Sequence, residues 1–190
     1  MDINALVEKI KSYLLKPEEA FEKEKKTGLV DALKYLLMVG TILAVLSAVI
    51  SAVTGGVMGP MLFVTTLVTM YVMLAVGSFI GAIILHIFAL IFGAKKGYEQ
   101  TYKVTAYSMT PTLVLGWVPV INFITGIWTL YLEYLGLKKL QDMKSSNAIL
   151  AVLVPVIIGM IIAGLSAMWL MSSMTALMPM AGMSGLPFGP

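Results

Sequence analysis

YLLMVGTILAVLSAVISAVTGGVMGPMLFVTTLVTMYVMLAVGSFIGAIILHIFALIFGA, residues 35–94, contains no Asp, Glu, Lys or Arg. A hydrocarbon core of ~30 Å is crossed by about 20 apolar helical residues, so this run holds two crossings. Thr54, Gly55, Gly56 and the pair Gly59-Pro60 supply the turn between them. The first crossing is expected from about Leu33 to Val53. The second, Met61 to Phe92, would measure about 48 Å as one helix, so it must tilt, bend or project. Gly77 and Gly81, four apart on it, predict a close helix approach, either within the chain or at the seam of a homodimer.

Outward from this run the charge is segregated. All thirteen lysines fall in three stretches, Lys9 to Lys34, Lys95 to Lys103 and Lys138 to Lys144, and there is no arginine. Residues 145–190 again carry no formal charge. Lysine beside apolar spans stays on the cytoplasmic face, so the three clusters predict one topology. The chain reads as an all-α, polytopic transmembrane helical bundle of about five spans in the cell membrane, with the N-terminus cytoplasmic and the C-terminus external. A composition that is 59% hydrophobic and 12% charged lies outside the soluble range. The net charge of +3, without an arginine- or lysine-rich block, argues against nucleic acid as a partner. The absence of cysteine excludes disulfides and thiolate metal sites.

Residues 1–30 read as a cytoplasmic helical arm. Ile3, Leu6, Val7, Ile10 and Leu14 form an apolar stripe with Glu8, Lys9 and Lys11 largely off it, suited to the membrane surface or to the bundle. Pro17, Glu18 and Glu19 open a second helix, and Lys25, Lys26 and Gly28 supply its end and cap. The arm has too many charges to serve as a cleavable leader, so the first span is expected to anchor the chain uncleaved. Residues 31–170 form the transmembrane domain and 171–190 an external, flexible, Met-rich tail. Between the second and third lysine clusters the stretch from Val104 to Leu137, with Gly116, Pro119 and Asn122 near its middle, is too short for two full perpendicular crossings. A pair of short helices or a re-entrant hairpin is expected there. The fifth span, about Ala148 to Trp169, carries Pro155, which predicts a kink.

Few residues carry chemistry. Glu133 is the one formal charge within a span. It reads either as an interface anchor beside Trp128, Tyr131 and Tyr134, bridged to a loop lysine, or as a functional polar site. His86, the only histidine, lies near the cytoplasmic end of its span, and a His86–Glu133 contact is one option. Met168, Met171, Met174, Met178, Met180 and Met183 include spacings that soft metals accept, although methionine also serves as adaptable filler. No hydrolase, metalloprotease or nucleotide-binding signature is present, so no enzymatic activity, no cofactor and no resident metal are expected.

The stretch from Lys103 to Pro111, KVTAYSMTP, resembles the V-x-AYS-x-x-P motif of the Yip (Ypt-interacting protein) domain family. Leu15-Lys16-Pro17-Glu18-Glu19-Ala20-Phe21 is similar to its L-x-P-x-x-A-F element, and Phe92-Gly93-Ala94-Lys95-Lys96-Gly97-Tyr98 to its FGG-type loop. Trp117-Val118-Pro119, then Gly136 through Leu140, then Ser146 through Pro155 resemble its later elements, so that the resemblance spans roughly residues 12–170. The acidic DLYGP element of eukaryotic members is absent, so Rab GTPase binding is not carried over and the likeness is to the shorter prokaryotic, archaeal-type members. The resemblance implies a non-enzymatic scaffold or adaptor in membrane organisation or trafficking-like recruitment. Tyr107, Ser108 and Pro111 then form either a structural kink or a partner groove, with Ser108 and Thr110 satisfying carbonyls freed by Pro111. Lys95, Lys96, Lys138 and Lys139 are the candidates for contact with membrane lipids or with a cytoplasmic or membrane protein partner. The competing expectation is a small transporter or channel, with a metal ion as one candidate cargo, resting on the broken hairpin, Glu133 and the Met tail.

Overall fold

A computed structural model describes residues 2–183, with side chains through residue 173. Among the described residues there is helix and no strand. Residues 2–153 form one compact unit, and the described residues from 154 onward a second.

The arm folds as α1 (Ile3–Leu15) and α2 (Pro17–Lys23), followed by a 3₁₀ turn over Glu24–Lys26. Gly28 belongs to the next helix rather than capping α2. Its N–H donates to Asp31 Oδ2 at 3.2 Å, and it opens α3 (Leu29–Thr54). A turn over residues 55–58 leads into α4 (Gly59–Val72), a π-helical turn at Met73–Gly77 and α5 (Ser78–Ile91). The long second run is one continuous 36-residue stretch, Gly56–Ile91, interrupted by this π-helical turn. Gly93, at φ 93°, supplies the left-handed residue that ends α5, and Ala94 N–H reaches back to Ala89 O at 2.8 Å.

The hairpin that follows has unequal arms: α6 (Tyr98–Ser108), α7 (Thr110–Leu115) and α8 (Pro119–Leu140). Four helices are long and apolar enough to cross a membrane: Leu29–Thr54, Gly56–Ile91, Pro119–Leu140 and Ser145–Ser173. The segment α6–α7 is not among them, which is why the span count is four rather than five by this measure. Its two helices, of 11 and 6 residues, are each too short to cross. Every residue of α6 from Thr101 to Ser108 is buried, so its polar side chains meet protein on all sides instead of lipid. The helix packs against α3, α5 and α8.

The last helix, α9 (Ser145–Met183), passes through Pro155 and Trp169 without ending, where a flexible tail had been expected from Met171. The side chains of Met174, Met178, Met180 and Met183, and residues 184–190, lie outside the described ones.

Gly40 and Gly136 make close contacts inside the bundle, Gly59 makes one with Ala52 near the turn, and Gly77 and Gly81 make none within the chain. A Cβ on Gly40 would lie 2.5 Å from Leu74 Cδ1, and one on Gly136 would lie 2.8 Å from Val104 Cγ1 and 3.0 Å from Phe21 Cε1. At Gly77 and Gly81 the nearest neighbours would be 4.0 Å away. Gly136→Val should therefore destabilise the fold by about 1–3 kcal/mol through overpacking. Gly126→Ala, where nothing lies within 4 Å, should leave the thermal midpoint in detergent unchanged. Equal midpoints for both variants would show that Gly136 does not seat the arm.

Candidate functional site

The AYS segment lies at the centre of the bundle, and the arm is locked onto it. Tyr107 on α6 stacks on Tyr13 of α1, ring centroids 5.1 Å apart, and Tyr13 meets Phe21 of α2 edge-on at 5.2 Å. Tyr35 of α3 completes the cluster, 5.1 Å from Tyr107. All four rings are buried, and such pairs contribute ~0.5–1.5 kcal/mol each beyond their area.

Polar groups line this aromatic core. Tyr107 OH donates to Glu24 Oε2 at 2.7 Å, while Lys9 Nζ pairs with Glu24 Oε1 at 2.7 Å. The same ammonium stands 4.5 Å from the Tyr107 ring centre and 5.1 Å from that of Tyr35. One turn earlier on α6, Lys103 is fully buried and donates to the carbonyls of Glu24 at 2.9 Å, Lys25 at 3.4 Å and Thr27 at 2.8 Å. These carbonyls close the 3₁₀ turn, where a cation complements the helix end. Lys9 and Lys103 thus face inward, contrary to their expected places off the stripe and in a basic loop. They do so because Glu24 and a row of carbonyls offset the desolvation of their charge.

Pro111 has the role expected of a break, with one correction. Lacking an N–H, it leaves the carbonyl of Tyr107 without its helical donor, and Thr110 Oγ1 fills the gap at 2.6 Å. Tyr35 OH lies 2.9 Å from that same hydroxyl. Ser108, expected to share this task, has a buried hydroxyl with no hydrogen-bond partner.

The lysine-bearing loops converge at the same end. Lys96 pairs with Asp142 at 2.5 Å, and its backbone N–H donates to Gln141 Oε1 at 3.0 Å. Gln141 Nε2 donates to Gly97 O at 3.2 Å and to Thr101 Oγ1 at 2.8 Å. Thr101 in turn meets His86 Nδ1 at 2.8 Å, so His86 is tied to α6 and not to Glu133. Lys139 pairs with Glu18 of the arm at 3.0 Å, and Lys138 lies over the Tyr134 ring. Lys95 is exposed and makes no pair among the described residues. Gln141→Leu should strand Lys96 N–H and Gly97 O and cost about 1–3 kcal/mol, seen as a lower thermal midpoint. An unchanged midpoint would mean that water replaces this bridge.

Glu133 makes no ion pair with a loop lysine. It lines a cavity of about 470 Å³ together with Gly77, Gly81, Thr105 and Met109. Among the described residues no group of three or more His, Asp or Glu comes together as a metal site would require.

The arm clamp was missed by sequence reading, although Lys103 and Tyr107 lie four apart, where two side chains share a helical face. Three of the family-like stretches meet in space: Phe21 of the L-x-P-x-x-A-F element and Val104 of the AYS stretch both lie against Gly136. No curated protein and no solved structure matches the chain. The model of the Yip1 domain matches residues 11–167, from the end of α1 into α9. With the apolar helices, this makes the chain a multi-pass membrane protein belonging to the Yip1 domain family.

Proposed function

We propose that this protein is a non-enzymatic membrane scaffold whose lysine-bearing end is a preformed, cytoplasmic docking face for an acidic partner, either anionic lipid head groups or an acidic protein segment. The observation that carries the reading is the Glu24 clamp. An arm held by a half-buried ion pair, a buried lysine and a cluster of four buried rings forms one surface with the two lysine loops, so a partner meets an ordered face and not a loose tail. Lys139–Glu18 and Lys96–Asp142 fix the neighbours of that face. The lysines left to attract a partner are exposed ones such as Lys23, Lys95 and Lys144, which make no ion pair among the described residues. The loop contribution therefore shifts from the full set Lys95, Lys96, Lys138 and Lys139 towards Lys95 and its exposed neighbours.

Photo-crosslinking probes at Lys23, Lys95 and Lys144 in native membranes test this. A recurrent anionic-lipid or acidic-protein adduct is expected. Lys95→Gln with Lys144→Gln should weaken the captured interaction by about 30-fold, at ~1 kcal/mol for each lysine near a charged surface. Self-adducts alone, or capture unchanged by the substitutions, would overturn the reading and move attention to transport.

A further inference from the structure

The π-turn at Met73–Gly77 borders the Glu133 cavity, and neither the arm nor the lysine loops use it. Such turns insert an extra residue into a helix and recur at functional sites. Met70, Met73, Leu74 and Met109 give the cavity, about 470 Å³, an apolar and adaptable wall, within the size range of small-molecule sites. Gly77 and Gly81 leave that wall open, because no side chain fills the space in front of them. Met73 is 63% exposed, so the cavity reaches the outer, lipid-facing surface of the helix.

One polar group lines this apolar space without a partner. Glu133 makes no hydrogen bond or ion pair among the described residues, in a span where a charge is costly. Thr105 is 6% exposed, and its hydroxyl has no partner. Other helical threonines of this chain return their hydroxyl to a carbonyl one turn back, Thr41 to Leu37 at 3.0 Å and Thr65 to Met61 at 3.0 Å. The hydroxyl of Thr105 is sealed within the packing, and its methyl is the atom nearest Gly81. No lysine lines the cavity, so a phosphate inside it would be uncompensated.

We propose that this cavity binds a single-chain amphiphile with an ammonium head and no phosphate, of the long-chain amine class. The ammonium has three donors, and the two oxygens of the Glu133 carboxylate accept from it. The chain lies along the methionine wall. Glu133 is about 10 Å along α8 from its lysine-bearing end, the depth at which a head group gives way to acyl chains. The proposal is independent of the docking face.

The test uses the full chain in phosphatidylcholine nanodiscs, with dodecylamine as the probe and dodecanol and methylamine as comparisons. Dodecylamine should raise the thermal midpoint saturably, by about 3–5 °C at ten times its dissociation constant, and the other two should not. Glu133→Gln should remove the shift. Gly77→Leu, which fills the cavity where the nearest neighbour is 4.0 Å away, should remove it too while leaving Glu133 in place. Lys95→Gln with Lys144→Gln should leave it intact. An equal shift with dodecanol, or one that survives both Glu133→Gln and Gly77→Leu, would overturn the site. A shift with methylamine alone would mean that Glu133 takes free ammonium ions and the amphiphile assignment is wrong.

Discussion

Glu24→Ala should detach the arm. The substitution leaves the Lys9 ammonium, 20% exposed, without its carboxylate and takes the acceptor from Tyr107 OH. Removing one partner of a buried pair costs about 3–5 kcal/mol, and the partial exposure of Lys9 puts the loss at the lower end, about 3 kcal/mol. A large fall in the thermal midpoint in detergent is expected, with rapid tryptic cleavage after Lys9 and Lys11 inside α1. Glu22→Ala is the control. Its pair with Lys25 is exposed, its carboxyl is held below the ordinary value mainly by that hydrogen bond, and its loss should leave the midpoint unchanged. If Glu24→Ala melts like Glu22→Ala, the clamp contributes nothing to holding the arm.

Lys103→Met should be the second large effect. The apolar stem is kept while the three bonds to Glu24, Lys25 and Thr27 carbonyls are lost. Bonds made by a charged donor contribute about 1.5–3 kcal/mol each, so the two short ones alone place the loss at about 3 kcal/mol or more. Because Lys103 and Glu24 act on the same turn, the double variant should lose less than the sum of the singles, with a coupling of about 0.5–3 kcal/mol. Thermal melts of the four-member cycle measure this directly. Strict additivity would show that α6 holds the arm through two separate contacts.

The membrane architecture was legible because lipid enforces it. A charge-free run must be helical and must cross, and the turn at Gly55, Gly56 and Gly59 falls where the glycines stand. Pro17 opens α2 and Pro111 opens α7 for the same reason, a fixed φ and a missing N–H. The clamp was hidden because a lysine in a sequence reads as solvated or as a loop marker. Only the carbonyl row of the Glu24–Lys26 turn, 76 to 79 positions away in the chain, reveals why Lys103 turns inward. Tyr13 was hidden in the same way, since the apolar stripe was read through Leu14 and the true inner face runs through Leu6, Lys9, Ile10 and Tyr13. Glycine spacing does not locate the close contacts within the chain. Gly77-x-x-x-Gly81 opens onto a cavity, while isolated Gly40 and Gly136 make close contacts inside the bundle, and a glycine does not announce what stands opposite it. Glu133 was found as a candidate, but its unpaired state and its cavity needed coordinates.

Hydrogen–deuterium exchange of the full chain in nanodiscs tests most directly whether the arm is an ordered part of the docking face. The clamp predicts that amides in Ile3–Leu15 and Pro17–Lys23 are protected to a degree comparable with α6, and that this protection is lost in Glu24→Ala. Exchange of the wild-type arm at the rate of an unfolded tail would contradict the account.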